Sequence, residues 1–218
     1  MKRLLTKVLG GAVLTLVALS ASAQNPPAAV EAPDFGSVSG NQYTNAYFGL
    51  KLTFPAGWSI QDTAGKKRIS EKGKQVVTSD DATKKAELDR AVDNTLNLLT
   101  VSERPMGSPG PLNSAFICGA EIRPAGVTTD ADYMKALKNV LLKYSQVPVT
   151  VIRDVYPQEI GGAVFSAIDF RTDFSGVFIN QKYFAHIRKD YVLFFIVTYD
   201  TPEQLQTDIE ILKSVVFK

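Results

Sequence analysis

The sequence predicts a three-layer α/β/α sandwich, a central sheet covered by helices on both faces. Three observations predict it. The run Tyr191–Tyr199, YVLFFIVTY, is apolar at every alternate position on both of its faces. Strand side chains have a period of two, so this strand has to be covered on both sides, as strands inside layered domains are. Residues 129–144 place Tyr133, Leu137, Val140, Leu141 and Tyr144 on one helical stripe, with Lys135, Lys138 and Lys143 largely outside it. After Asp200, Thr201 as cap, Pro202 at the first helical position and Gln204 at the third start another helix.

The N-terminus reads as a targeting segment. Lys2, Arg3 and Lys7 precede a short apolar run, and Ala21, Ser22 and Ala23 offer the small residues a signal peptidase reads. The run falls short of the about 20 residues of a membrane-spanning helix. Residues 1–23 are therefore expected to be a signal peptide, and the protein an exported bacterial one, periplasmic or secreted, with no stable membrane anchor after cleavage. The whole chain has 24 basic and 22 acidic residues; without the leader it has 21 and 22, a net charge of −1. A nearly neutral chain has no general electrostatic reason to seek nucleic acid. The remaining 195 residues suffice for one domain, and the single cysteine, Cys118, excludes an internal disulfide.

In chain order, residues 24–42, rich in Pro, Ala, Gly and Ser, read as a flexible tether, and 43–218 as a single domain beginning near Tyr43. Tyr47, Phe48, Leu50, Leu52 and Phe54 form a first strand; Trp58 and Ile60 open a second after a Pro-Ala-Gly turn. Residues 62–75 are polar and hold Lys66, Lys67, Arg68, Lys72 and Lys74. They read as a solvated hairpin or loop, or as a docking patch for an acidic partner. Ser79, Asp80 and Asp81 start a weakly amphipathic helix with Leu88 and Ala91. Residues 95–103 and 114–123 are strands, separated by a loop with Pro105, Met106, Pro109 and Pro111, where three prolines and two glycines exclude regular structure. Val147, Val149, Val151 and Val155 lead into a further strand region. Gly161 and Gly162 are read as letting a strand bend or a helix approach. Residues 164–170 form a strand, and 176–199 the two strands around which the rest packs. In the last helix Leu205, Ile209 and Leu212 form the expected buried stripe.

The opening FGLKLTFPAGW, the order of strands and helices, and the closing ILKSVVF resemble the PsbP-like proteins over residues 43–218. The resemblance implies a mainly antiparallel central sheet, hence an α+β class. It carries over no catalytic site, and the metal sites of the photosynthetic members find no ligand cluster here. No cofactor is expected.

His186 and Cys118 make a Cys–His pair arithmetically possible, but both fall inside strands, where a packed, hydrogen-bonded histidine and a buried thiol are the expected states. Asp169 and Arg171, two apart on one strand face with Asp173 beyond, read as a surface pair rather than a metal site. The leading functional reading is an exported non-enzymatic binding or accessory domain. It would engage an envelope protein or a small ligand through the basic 66–74 segment and the 105–111 loop. The alternatives are an exported hydrolase with a loop-assembled site and a structural part of a larger complex. An enzyme concentrates titratable residues in a deep pocket, whereas a binding module exposes an apolar patch.

Overall fold

Residues 33–218 are described here, in a computed structural model; the expected signal peptide and residues 24–32 of the expected tether lie outside the described residues. Along the chain come β1 Ser37–Ser39, β2 Gln42–Asn45, β3 Leu50–Thr53, β4 Ser59–Ile60, α1 Thr63–Val76, α2 Ala82–Asp93, β5 Thr95–Ser102 and β6 Ala115–Ile122. Then follow α3 Asp130–Tyr144, β7 Val149–Ile160, β8 Ala163–Phe174, β9 Val177–Arg188, β10 Tyr191–Tyr199, α4 Pro202–Lys213 and β11 Val216–Phe217. The fold is α+β. A seven-stranded sheet in the order β4-β5-β6-β10-β9-β8-β7 is antiparallel throughout, and a second sheet has the order β1-β2-β3-β11.

The organising strand β10 lies between β6 and β9, buried on both faces as expected. Val192, Phe194 and Ile196 face α1, α2 and α3, where they join Ile69, Leu88, Tyr133, Leu137 and Leu141 in one core. Tyr191, Leu193, Phe195 and Val197 face the opposite core with Leu50, Leu52, Phe54, Ile211 and Leu212. There Phe195 packs against Phe116 and Phe165, ring centroids 5.6 and 5.5 Å apart. This second outer layer is α4 together with the small sheet, not helix alone. β1 and β2 add strands the expected architecture lacked.

Three local expectations are corrected. Residues 62–75 are helix α1, not a hairpin or loop. Asp62 caps it by accepting from Gly65 N, and its buried stripe is Gly65, Ile69 and Gly73. Two of those three residues have no side chain, so the stripe gave no apolar periodicity, yet their smallness lets the helix lie close to its neighbours. The described chain is already in a sheet at β1, inside the segment 24–42 expected as tether, because Ser37, Val38 and Ser39 pair with Thr44, Tyr43 and Gln42. Gly161 and Gly162, at φ +60° and +80°, are the two-residue turn of the β7–β8 hairpin. Glycine takes two successive positive φ angles at no steric cost. The expected close approach is also present: a Cβ on Gly161 would sit 2.9 Å from the Val215 carbonyl oxygen, just beyond α4.

Candidate functional site

A cleft opens between the β7–β8 hairpin and the last turn of α4. It encloses about 240 Å³ and is lined by Arg153, Tyr156, Glu159 and Lys182 from the strands and by Ile209, Leu212 and Lys213 from the helix, among others. Its polar wall is organised by Asp169, which is almost fully buried on β8. The Tyr156 hydroxyl donates to Asp169 Oδ1 at 2.8 Å, and the Lys182 ammonium donates to Oδ2. Lys182 stands directly opposite Asp169 in the β8–β9 register. Burial, then the bond to Asp169, pushes the Tyr156 hydroxyl pKa up, so the phenol stays neutral and keeps its proton, donated toward the carboxylate. A buried carboxylate satisfied by two donors is a fixed anchor, not a free base.

Above this anchor, β7 departs from regular pairing between Val151 and Arg153 and again between Arg153 and Tyr156. Bulges re-aim side chains; here the Arg153 guanidinium lies over the Tyr156 ring, 3.6 Å from its centroid. The facing wall is apolar, because α4 is rotated from its expected stripe. Asp208, Ile211 and Leu212 are its buried residues, while Leu205 and Ile209 are only half-buried.

Asp208 makes a second buried polar contact beneath α4. Ser114 Oγ donates to its Oδ2 at 3.1 Å, its Oδ1 has no partner, and burial raises its pKa to about 8. Across the sheet, under α3, Glu121 is fully buried with neither oxygen hydrogen-bonded; Tyr133 and Thr95 lie beside it without completing a bond, and burial raises its pKa to about 8. Neither acid lines the cleft.

The residues expected to bind a partner sit elsewhere, and several are committed to the fold. Lys66 donates to the Leu98 carbonyl at 2.9 Å, and burial lowers its pKa. Lys74 pairs with Asp93 at 2.7 Å, which raises its pKa. Lys67 and Arg68 are exposed on α1, and Lys72 is half-buried. The 105–111 loop is exposed at Pro105, Pro109 and Pro111 but pinned: the Arg104 guanidinium donates to the carbonyls of Pro109 and Pro111, at 2.7 and 2.6 Å. Met106 turns inward against the core on the α1–α3 side. None of these residues lines the cleft.

Cys118 and His186 do not meet. β10 runs between their strands, with Phe195 opposite Cys118 and Leu193 opposite His186. Two strand spacings separate them by about 10 Å. The His186 ring is packed and bonded: Nδ1 lies 3.0 Å from Asp130 Oδ2, and its centroid 5.0 Å from that of Phe165. Asp130 Oδ1 also accepts from Ile187 N, so the pair ties the first turn of α3 to β9. Asp169 is satisfied by Lys182 and Tyr156 rather than by Arg171, which bonds Asn180.

The cleft residues were legible in part. Counting equally outward from the Ser175–Gly176 turn sets Asp169 opposite Lys182, a pair that spacing within one strand does not show. Arg153 depends on the bulges, which leave no mark of that kind.

No family model matches the sequence, and no curated protein matches it either. Solved structures similar to the chain include PsbP from the cyanobacterium Synechocystis, with 11% identity, 84% of this chain and 98% of that one covered, and a TM-score of 0.48. LpqN of Mycobacterium tuberculosis, described as involved in cell envelope biogenesis, has 12% identity, coverage of 78% and 83%, and a TM-score of 0.43. A Pseudomonas aeruginosa protein of unknown function has 20% identity, coverage of 49% and 70%, and a TM-score of 0.37. A PsbP is thus among the similar structures, the family that the element order resembles. All three scores lie below 0.5, and the functional reading rests on the geometry of the site.

Proposed function

We propose that the protein is an exported, non-enzymatic binding or accessory domain whose recognition site is the cleft between the β7–β8 hairpin and α4. The observation that carries this reading is the commitment of the buried acid behind the cleft wall and of two of the three cations that line it. Asp169 is saturated by Lys182 and Tyr156, and Lys213 is paired with Glu210 at 2.8 Å. A fixed polar wall facing an apolar one is how small-ligand sites orient what they hold. A hydrolase instead needs a nucleophile beside a base, and Cys118 and His186 lie two strands apart. Export rests on the leader, and cleavage after Ala23 is tested by the intact mass of the protein from its native host.

The function is tested by incubating the mature protein with native envelope extract and identifying retained molecules by native mass spectrometry. Ile209→Trp, which fills the cleft from its half-buried rim, serves as the blocked control. A molecule retained by the wild type and lost in the variant is expected. Equal retention by both moves recognition away from the cleft, to the exposed face of α1 or the 105–111 loop. Turnover of ester, peptide or glycoside substrates that is lost in Ile209→Trp replaces the binding reading with the hydrolase.

A further inference from the structure

We propose that the cleft takes a small monocarboxylate with a compact apolar body, its carboxylate received by Arg153 and Lys182 and its body lying against Ile160, Phe184, Ile209 and Leu212. This rests on the cleft being the binding site and goes further, to the chemical class of the ligand.

Charge comes first. Lys182 is neutralised by Asp169 beneath it, and Lys213 by Glu210 beside it. Arg153 enters none of the ion pairs among the described residues; Asp169, opposite it in the β7–β8 register, is taken up by Lys182 and Tyr156, so Arg153 keeps its charge for a ligand. Its guanidinium sits over the Tyr156 ring, its carbon 3.6 Å from the centroid. A stacked guanidinium keeps its edge N–H donors free and in plane, the geometry that receives a carboxylate through two parallel bonds. Lys182 adds to this. An ammonium has three donors, of which Asp169 takes one, and Lys182 lines the cleft with 16% of its side chain exposed.

The same wall sets an upper limit on charge. Glu159 also lines the cleft, and Lys213 marks it as lying at the C-terminal end of α4, the negative end of the helix dipole. Both disfavour a dianion such as phosphate more than a single carboxylate. Size limits the rest of the ligand. About 240 Å³ is below the about 300–1,000 Å³ of pockets for drug-sized molecules, and the opposite wall offers apolar side chains and no further cation except the paired Lys213.

The test is amide-resolved NMR titration of the mature protein with 3-phenylpropionate, 3-phenylpropionamide and inorganic phosphate in parallel. The acid is expected to shift the amides of Tyr156, Ile160, Lys182 and Ile209, and to bind at least about tenfold more tightly than the amide or phosphate. Arg153→Gln, an exposed position whose replacement spares the fold, is expected to remove that preference. Amide binding equal to acid binding, with the same residues shifted, overturns the charge assignment and leaves the cleft as a binding site. Phosphate binding more tightly overturns the monoanion limit. Acid shifts confined to residues outside the cleft, no shifts at all, or an affinity unchanged by Arg153→Gln overturn the inference outright. The Ile209→Trp retention experiment then decides separately whether the cleft reading falls with it.

Discussion

The Phe194 ring lies directly over Gly119, its partner on the neighbouring strand: a Cβ on Gly119 would be 2.2 Å from Phe194 Cζ. A ring laid over a strand glycine covers backbone that no side chain of its own protects. Both residues stand at the centre of the sheet, on the side covered by α1, α2 and α3. Gly119→Ala is therefore expected to cost about 1–3 kcal/mol by overpacking, measured by urea denaturation. In the Phe194→Ala background the same change is expected to cost less, since the clashing ring is gone while the Leu96 carbonyl oxygen, 2.9 Å from the added Cβ, remains close. An equal cost in both backgrounds shows that the two residues are not coupled.

Phe194→Ala and Phe195→Ala, on opposite faces, are each expected to cost about 3–5 kcal/mol, because both side chains are fully buried. A negligible loss for either means that its face is uncovered in solution.

Stability is expected to fall as pH rises from about 4.5 to about 8. Glu121 and Asp208 titrate near pH 8 when folded, against ordinary values of 4.5 and 3.8. A raised folded value means that the unfolded chain loses its protons first. The contribution of each acid is thus full below its ordinary value and lost progressively as pH climbs to about 8, at up to about 1.4 kcal/mol per pH unit per group. Glu121→Gln and Asp208→Asn are each expected to flatten the decline of the denaturation midpoint over that window. A slope unchanged in both assigns the pH dependence elsewhere.

Cys118 is fully buried, and burial pushes its thiol pKa far up. Ellman's reagent is expected to leave it untouched in the native protein and to react with one thiol per chain in denaturant. Fast native reaction means that β6 opens locally.

Arg104→Ala is expected to loosen the 105–111 loop without unfolding the domain. It removes two exposed hydrogen bonds to loop carbonyls, so the global loss is about 1 kcal/mol. Hydrogen exchange at Met106, Gly107, Ser108 and Gly110 reports the loosening; unchanged exchange means that the Arg104 clamp is dispensable.

The fold was legible where side chains carried their own periodicity. Tyr191–Tyr199 announced two covered faces, the apolar stripe of residues 129–144 marked α3 to within a residue, and the Thr201 cap with Pro202 and Gln204 marked the start of α4. It was illegible where packing used smallness or backbone alone. The α1 stripe is two glycines and an isoleucine, and β1 is three exposed residues held by pairing with β2. Asp208 broke the stripe rule in the opposite sense, as an acid buried beside the expected stripe; its compensation by Ser114 comes from just before β6, 94 residues away in sequence. The site suffers from the same non-locality. Asp169 drew attention because of Arg171 on its own strand, but its real partners come from β7 and β9, and only a register connects them.

β7 is the outermost strand of the large sheet, and its two bulges and Pro157 fall along a twelve-residue edge. Proline cannot donate to a ladder, and a bulge breaks the even row of groups that an incoming strand would match. The opposite edge, β4, is only two residues long. With its bulges and proline, the β7 rim of the large sheet is a poor template for extension by another chain, and recognition along it falls to side chains, whose identity can discriminate, rather than to backbone, which reads much the same in every strand.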